Sequence, residues 1–74
     1  MTISFITLDE DIMWSVICKK SDPFRKVENL FYDDYPEYKG KDLIFKLNGR
    51  TINKDHNLEK NEIENNDKIN IIMK

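Results

Sequence analysis

Ser21-Asp22-Pro23-Phe24-Arg25-Lys26-Val27-Glu28-Asn29-Leu30-Phe31 is the stretch that decides how this chain folds. Asp22 can accept hydrogen bonds from the free backbone N–H groups of a helix start, and Pro23 sits where its missing N–H costs nothing. Phe24, Val27, Leu30 and Phe31 follow at helical spacing and predict one apolar stripe. Pro36 ends the helix, because the residue before a proline avoids helical geometry. Tyr35 and Tyr38 flank that proline and are expected to close over the end of the core.

Upstream of the helix the pattern changes to a period of two. Ile3-Ser4-Phe5-Ile6-Thr7 reads as a strand, with Ile3 and Phe5 on one face and Ser4 and Ile6 on the other. Leu8-Asp9-Glu10-Asp11 reads as a turn. Ile12 to Cys18 is rich in branched and aromatic residues and predicts a second strand, with Trp14, Val16 and Cys18 on one face. The short connection makes the two an antiparallel hairpin. Trp14 is large for such a hairpin and must find a partner for its indole N–H or leave that edge wet.

Downstream, Leu43-Ile44-Phe45-Lys46-Leu47 alternates as a third strand, with Leu43, Phe45 and Leu47 on one face. Asn48-Gly49 is the strongest short turn signal in the chain. A short strand, Arg50-Thr51-Ile52, follows. Leu58 and Ile63 are lone apolar anchors in a polar loop. Asn65-Asn66-Asp67 makes a turn before the last strand, Lys68 to Met73. The expected order is β-β-α-β-β-β in a single domain, residues 1–74, of the α+β class. Its core is Ile3, Phe5, Trp14, Val16, Phe24, Val27, Phe31, Phe45, Leu47, Ile52, Leu58, Ile63, Ile69 and Ile71.

Composition narrows the function classes. The chain has 74 residues, 39% hydrophobic and 35% charged, with a formal net charge of -2. A chain this short has a thin core and little room for a deep catalytic cleft. Lysines interleaved with Asp and Glu do not form the basic face expected of a nucleic-acid binder. The single cysteine, Cys18, excludes an internal disulfide and reads as a buried structural thiol. No apolar run approaches the ~18–20 residues that span a bilayer, and the first residues lack the pattern of a signal peptide. These features read as a cytosolic or nuclear protein. His56, the one histidine, has no second metal ligand at a usable spacing and reads as a solvated loop residue. Asp33, Asp34 and Glu37, and Asp9, Glu10 and Asp11, read as solvated acidic clusters. No catalytic constellation is present, so the expectation is a non-enzyme without cofactor or metal.

Met1-x-Ile3-x-Phe5, Ser21-Asp22-x-Phe24-x-x-Val27, Leu43-Ile44-Phe45, Gly49-x-x-Ile52 and Leu58-x-x-x-x-Ile63, in this order, resemble the ubiquitin-like β-grasp superfamily from end to end. The resemblance implies a mixed five-stranded sheet around one helix, its first and last strands parallel in the centre. Three departures accompany it. The sequence stops at Lys74 without the terminal Gly-Gly of a conjugated modifier, so the chain as it stands is not expected to be conjugated. The positions of ubiquitin's chain-building lysines match Ile6, Asp11 or Ile12, Glu28, Leu30, Asp34, Arg50 and Asn65. The recognition face is rewritten: counted back from Gly49, the position of ubiquitin's central isoleucine falls on Lys46, and Ile44 lies two residues earlier on the same outward face.

The candidate partner-binding set is therefore Ile6, Leu8, Ile44, Lys46, Asn70 and Ile72, with Met13 and Ile17 as possible additions. Scattered apolar residues on strands are ordinary. Adjacent central strands, however, are expected to join Ile6, Ile72 and Ile44 into a contiguous patch, and such patches mark interfaces. Lys46 and Lys74 read first as solvated lysines that protect the sheet edge, and second as a cationic rim for an acidic partner. The expected role is a non-conjugated protein–protein interaction domain, monomeric on its own. It would dock a ubiquitin-type receptor, a ubiquitin-pathway protein or another domain of a parent protein, with no nucleic acid or membrane involved. Two alternatives stay open: a modifier precursor whose Gly-Gly tail lies beyond Lys74, and a permanent subunit of a larger assembly.

Overall fold

Alternation and punctuation in the sequence become five strands and one α-helix in the computed structural model, which describes residues 1–9 and 11–73. The elements are β1 (Thr2–Thr7), β2 (Met13–Ile17), α1 (Phe24–Asp34), a 3-10 turn (Pro36–Tyr38), β3 (Leu43–Leu47), β4 (Arg50–Thr51) and β5 (Lys68–Met73). They form one sheet in the order β2-β1-β5-β3-β4. β1 and β5 run parallel at its centre, and the other neighbours are antiparallel. The result is a compact α+β domain with a mixed sheet. Glu10, read as part of the acidic turn, and Lys74, read as a rim lysine, lie outside the described residues.

The helix covers one face of the sheet. Phe24, Val27 and Phe31 meet Ile3, Phe5, Phe45, Ile69 and Ile71, all essentially inaccessible to water. Four phenylalanines form the centre: the Phe5 ring lies 5.9 Å from Phe24, 5.6 Å from Phe31 and 5.1 Å from Phe45. Tyr35 and Tyr38 close the end as expected, with the Tyr35 ring 5.1 Å from Phe31. Asn48 and Gly49 both take positive φ, 53° and 79°, which a tight hairpin turn requires.

Four expectations need correction. Asp22 does not cap the helix. Pro23 is the capping residue, and the Asp22 carboxylate turns back to accept the Lys19 N–H at 2.9 Å. The first helical N–H, from Phe24, is instead satisfied by the carbonyl of His56 at 3.1 Å. Leu30 does not belong to the buried stripe; it is 39% exposed and Glu28 takes its place in the interior. At about 100° per residue, Glu28 lies only about 40° round the helix from Phe24, whereas Leu30 lies about 120° away. Trp14 and Val16 are half-buried against the core, while Ile12, Cys18 and Leu43 complete it. The second strand is shorter than read, because Ile12 and Cys18 lie just outside it.

The buried Glu28 is satisfied from two sides. Lys54 Nζ lies 2.9 Å from its carboxylate, and the Tyr32 hydroxyl donates to it at 2.7 Å. Lys54 also stands over the Phe45 ring, 5.2 Å from its centroid. The long segment between β4 and β5 is held by Leu58, Ile63 and the buried amide of Asn61. That amide accepts from the Asn53 N–H and donates to the carbonyls of Asn53 and Asn57. Trp14 finds its partner at the surface: the indole N–H donates to the exposed carboxylate of Asp34 at 2.6 Å and ties β2 to the helix end.

Candidate functional site

Because side chains alternate along a strand, each inward residue of the sheet leaves an outward neighbour on the face away from the helix. The register sorts these into rows. Ile44 of β3 lies directly opposite Ile72 of β5. One row below, Met13, Ile6, Asn70, Lys46 and Thr51 line up across all five strands. The next row is polar, with Ser15, Ser4 and Lys68 aligned and the two serine hydroxyls hydrogen-bonded at 2.9 Å. The main apolar cluster of the open face therefore occupies one end of the sheet, where β1 and β5 finish and β3 begins, while Ile17, 82% exposed, stands apart at the other end opposite Thr2.

The six residues singled out from the sequence come to this end, with one change in arrangement. Ile44 and Ile72 are direct cross-strand partners. Ile6 is opposite Asn70, not Ile72, and meets Ile72 only diagonally. Ile6, Ile44, Lys46, Asn70 and Ile72 are each half-buried, because neighbours on a twisted sheet shield one another. Apolar surface facing water is concentrated at the rim. Leu8 is 87% exposed and Met13 63% exposed. Leu8 and Ile72, with Thr7, Asp9, Ile71 and Met73, line an open groove of about 420 Å³ at the end of β1 and β5. Met73 is the contributor that sequence parity missed: it continues the inward series of Ile69 and Ile71, yet the core ends before it.

Charge around the patch is sparse. Lys46 has no ion-pair partner among the described residues. Asp9, at the groove, is a better acid than usual, first because the Thr7 hydroxyl hydrogen-bonds its carboxylate and then because the Asp11 backbone does. Elsewhere the chemistry is structural. Burial pushes the Cys18 thiol up, away from the reactive thiolate. Among the described residues no group of three or more His, Cys, Asp and Glu is placed to hold a metal ion. His56 serves the fold through its carbonyl. No helix among the described residues is long and apolar enough to cross a membrane.

No protein-family model matches the chain, and no curated protein matches it in sequence.

Proposed function

We propose that this chain is a ubiquitin-like β-grasp domain that binds a protein partner through the open face of its sheet, centred on the Ile44–Ile72 pair. The fold assignment is supported by the strand order, the central parallel pairing of β1 with β5, and the single helix crossing one face. The observation that carries the binding role is the two-row cluster at one end of the open face. Ile44, Ile72 and Ile6 form its floor, Leu8 and Met13 its exposed apolar rim, and Lys46 and Asn70 its polar members. Contact with water there is a standing cost that a partner relieves.

Lys46 sets the chemistry of that partner. An ammonium beside an apolar floor selects an apolar segment with a carboxylate nearby. The role is one of binding and not of catalysis, and a domain held together without disulfides suits a reducing compartment, cytosolic or nuclear.

The test is isolation of a partner with the wild-type chain, followed by calorimetry on variants. Ile44→Asp and Ile72→Asp should each weaken binding tenfold or more, about 1.4 kcal/mol. Lys46→Glu should weaken it with a marked dependence on salt. Lys26→Glu, on the exposed side of the helix, should bind as wild type. Normal binding by the isoleucine variants together with loss in Lys26→Glu would place the interface elsewhere.

A further inference from the structure

β2 is an outer strand, with β1 as its only sheet neighbour among the described residues. The pairing fixes which of its backbone groups remain free. The Met1 terminal ammonium donates to the Cys18 carbonyl at 2.7 Å and the Cys18 N–H returns to the Met1 carbonyl at 2.8 Å. At the other end the Thr7 N–H donates to the Ile12 carbonyl at 3.1 Å. Because bonded and non-bonded pairs alternate in an antiparallel ladder, Ile12, Trp14, Val16 and Cys18 turn their polar backbone toward β1. Met13, Ser15 and Ile17 turn theirs to the open edge. The complementary residue on β1 agrees: the Thr2 N–H and carbonyl are used on its other side, by Asn65 and Asn66.

Open edges are usually blunted by lysine, proline or a bulge. Met13-Trp14-Ser15-Val16-Ile17 has none of these, and its register with β1 is unbroken. Met13 and Ile17 are moreover 63% and 82% exposed. The opposite edge of the sheet, β4, is only two residues long and carries Arg50.

The sequence about Ser15 is also self-complementary when read against itself. In an antiparallel pair centred on Ser15, Met13 of one copy faces Ile17 of the other, Trp14 faces Val16, and Asp11 faces Lys19. The apolar pair falls on the open face. Asp11 and Lys19 lie beyond β2, with their N–H groups held by Asp9 and Asp22, so the charged pair can meet only through its side chains at each end. Ser15 and the two Met13–Ile17 pairs are also the positions whose backbone N–H and C=O groups point outward, so each pair can exchange both of its hydrogen bonds.

We propose that two copies of this chain associate edge to edge through β2, antiparallel about Ser15, joining their sheets into one. This inference does not depend on the open-face reading: it shares Met13 with that cluster but rests on the strand edge and not on the Ile44–Ile72 pair. The contact is small and belongs to the weak class of interfaces, with a dissociation constant of about 0.1–1 mM. The chain is then monomeric when dilute and paired when concentrated.

Sedimentation of the 74-residue chain from about 10 µM to about 1 mM tests the proposal, with circular dichroism to confirm that each variant is folded. The wild-type chain should show a monomer–dimer equilibrium within the range expected of a weak interface. Ile17→Lys should weaken it tenfold or more. Asp11→Lys and Lys19→Asp should each weaken it about threefold to tenfold, and the double swap Asp11→Lys/Lys19→Asp should restore it. Amide exchange at Ser15 should slow as concentration rises. A chain that stays monomeric throughout, a dimer indifferent to Ile17→Lys, or a dimer dissolved by Ile72→Asp instead would overturn it. Protection of the Ser15 amide in a monomeric chain by an extended peptide of another protein would equally overturn the choice of a second copy.

Discussion

The two faces of one sheet have been given different work by the same alternation of residues. On the helix side, Ile3, Phe5, Phe45, Ile69 and Ile71 are sealed from water under Phe24, Val27 and Phe31. On the open side, Ile6, Ile44 and Ile72 are only half-buried, with Leu8 and Met13 projecting beside them. Residues one position apart on a strand thus differ in whether they are sealed in the core or left partly open to water. The polar groups divide the same way. The helix side binds its buried carboxylate, Glu28, to Lys54 and Tyr32. The open side leaves Lys46 without an ion pair among the described residues.

If this division is right, substitutions on the two faces should have opposite signatures. Phe31→Ala and Phe24→Ala should have the largest effect, each losing about 3–5 kcal/mol in urea unfolding, the usual result of emptying a core aromatic site. In a domain with a thin core that is enough to leave much of the chain unfolded. Lys54→Met comes next. It keeps the apolar stem over Phe45 but strands the Glu28 carboxylate, and about 2 kcal/mol should be lost; the partial exposure of Lys54 keeps the figure below that of a fully buried pair. Trp14→Phe removes the hydrogen bond to Asp34 and should cost about 1 kcal/mol.

On the open face the stability effects should fade. Ile44→Asp and Ile72→Asp should each cost no more than about 1 kcal/mol while abolishing most partner binding. A loss as large as that of Phe31→Ala would erase the contrast between the faces. The smallest effect concerns acid. Hydrogen bonding from the Lys19 N–H, and then the nearby Lys26 ammonium, hold the Asp22 carboxyl below its ordinary value of 3.8. A depressed acid stabilises the fold fully above the unfolded value and loses that contribution as pH falls through the folded value. Asp22→Asn should therefore lower stability slightly at neutral pH and flatten its decline below about pH 4, where variant and wild type converge.

Much of this contrast was legible in the sequence because it is local. Period two along Ile3–Thr7 and Leu43–Leu47, the Asn48-Gly49 turn and the stop at Pro36 each rest on neighbouring residues, and each stands in the structure. Failures occur where a distant segment decides. Asp22 looked like a cap, yet the His56 carbonyl, brought in by the long loop, serves the Phe24 N–H, and the aspartate is free to turn back on Lys19. Glu28 is missing from the core read off the sequence because a charged residue is not expected there, and only the fold supplies Lys54 to neutralise it. For the candidate site, parity alone placed Ile6, Ile44 and Ile72 on one face. The stagger that sets Ile6 against Asn70 depends on the parallel pairing of β1 with β5, whose register no turn residue encodes.

Amide shift mapping of the isotopically labelled chain during titration with its captured partner tests the division of faces most directly. Signals of Ile6, Leu8, Ile44, Lys46, Asn70 and Ile72 should move or broaden, while those of Arg25, Lys26 and Asn29 on the exposed side of the helix should hold still. Perturbation confined to the helix, with the Ile44–Ile72 pair unmoved, would contradict it.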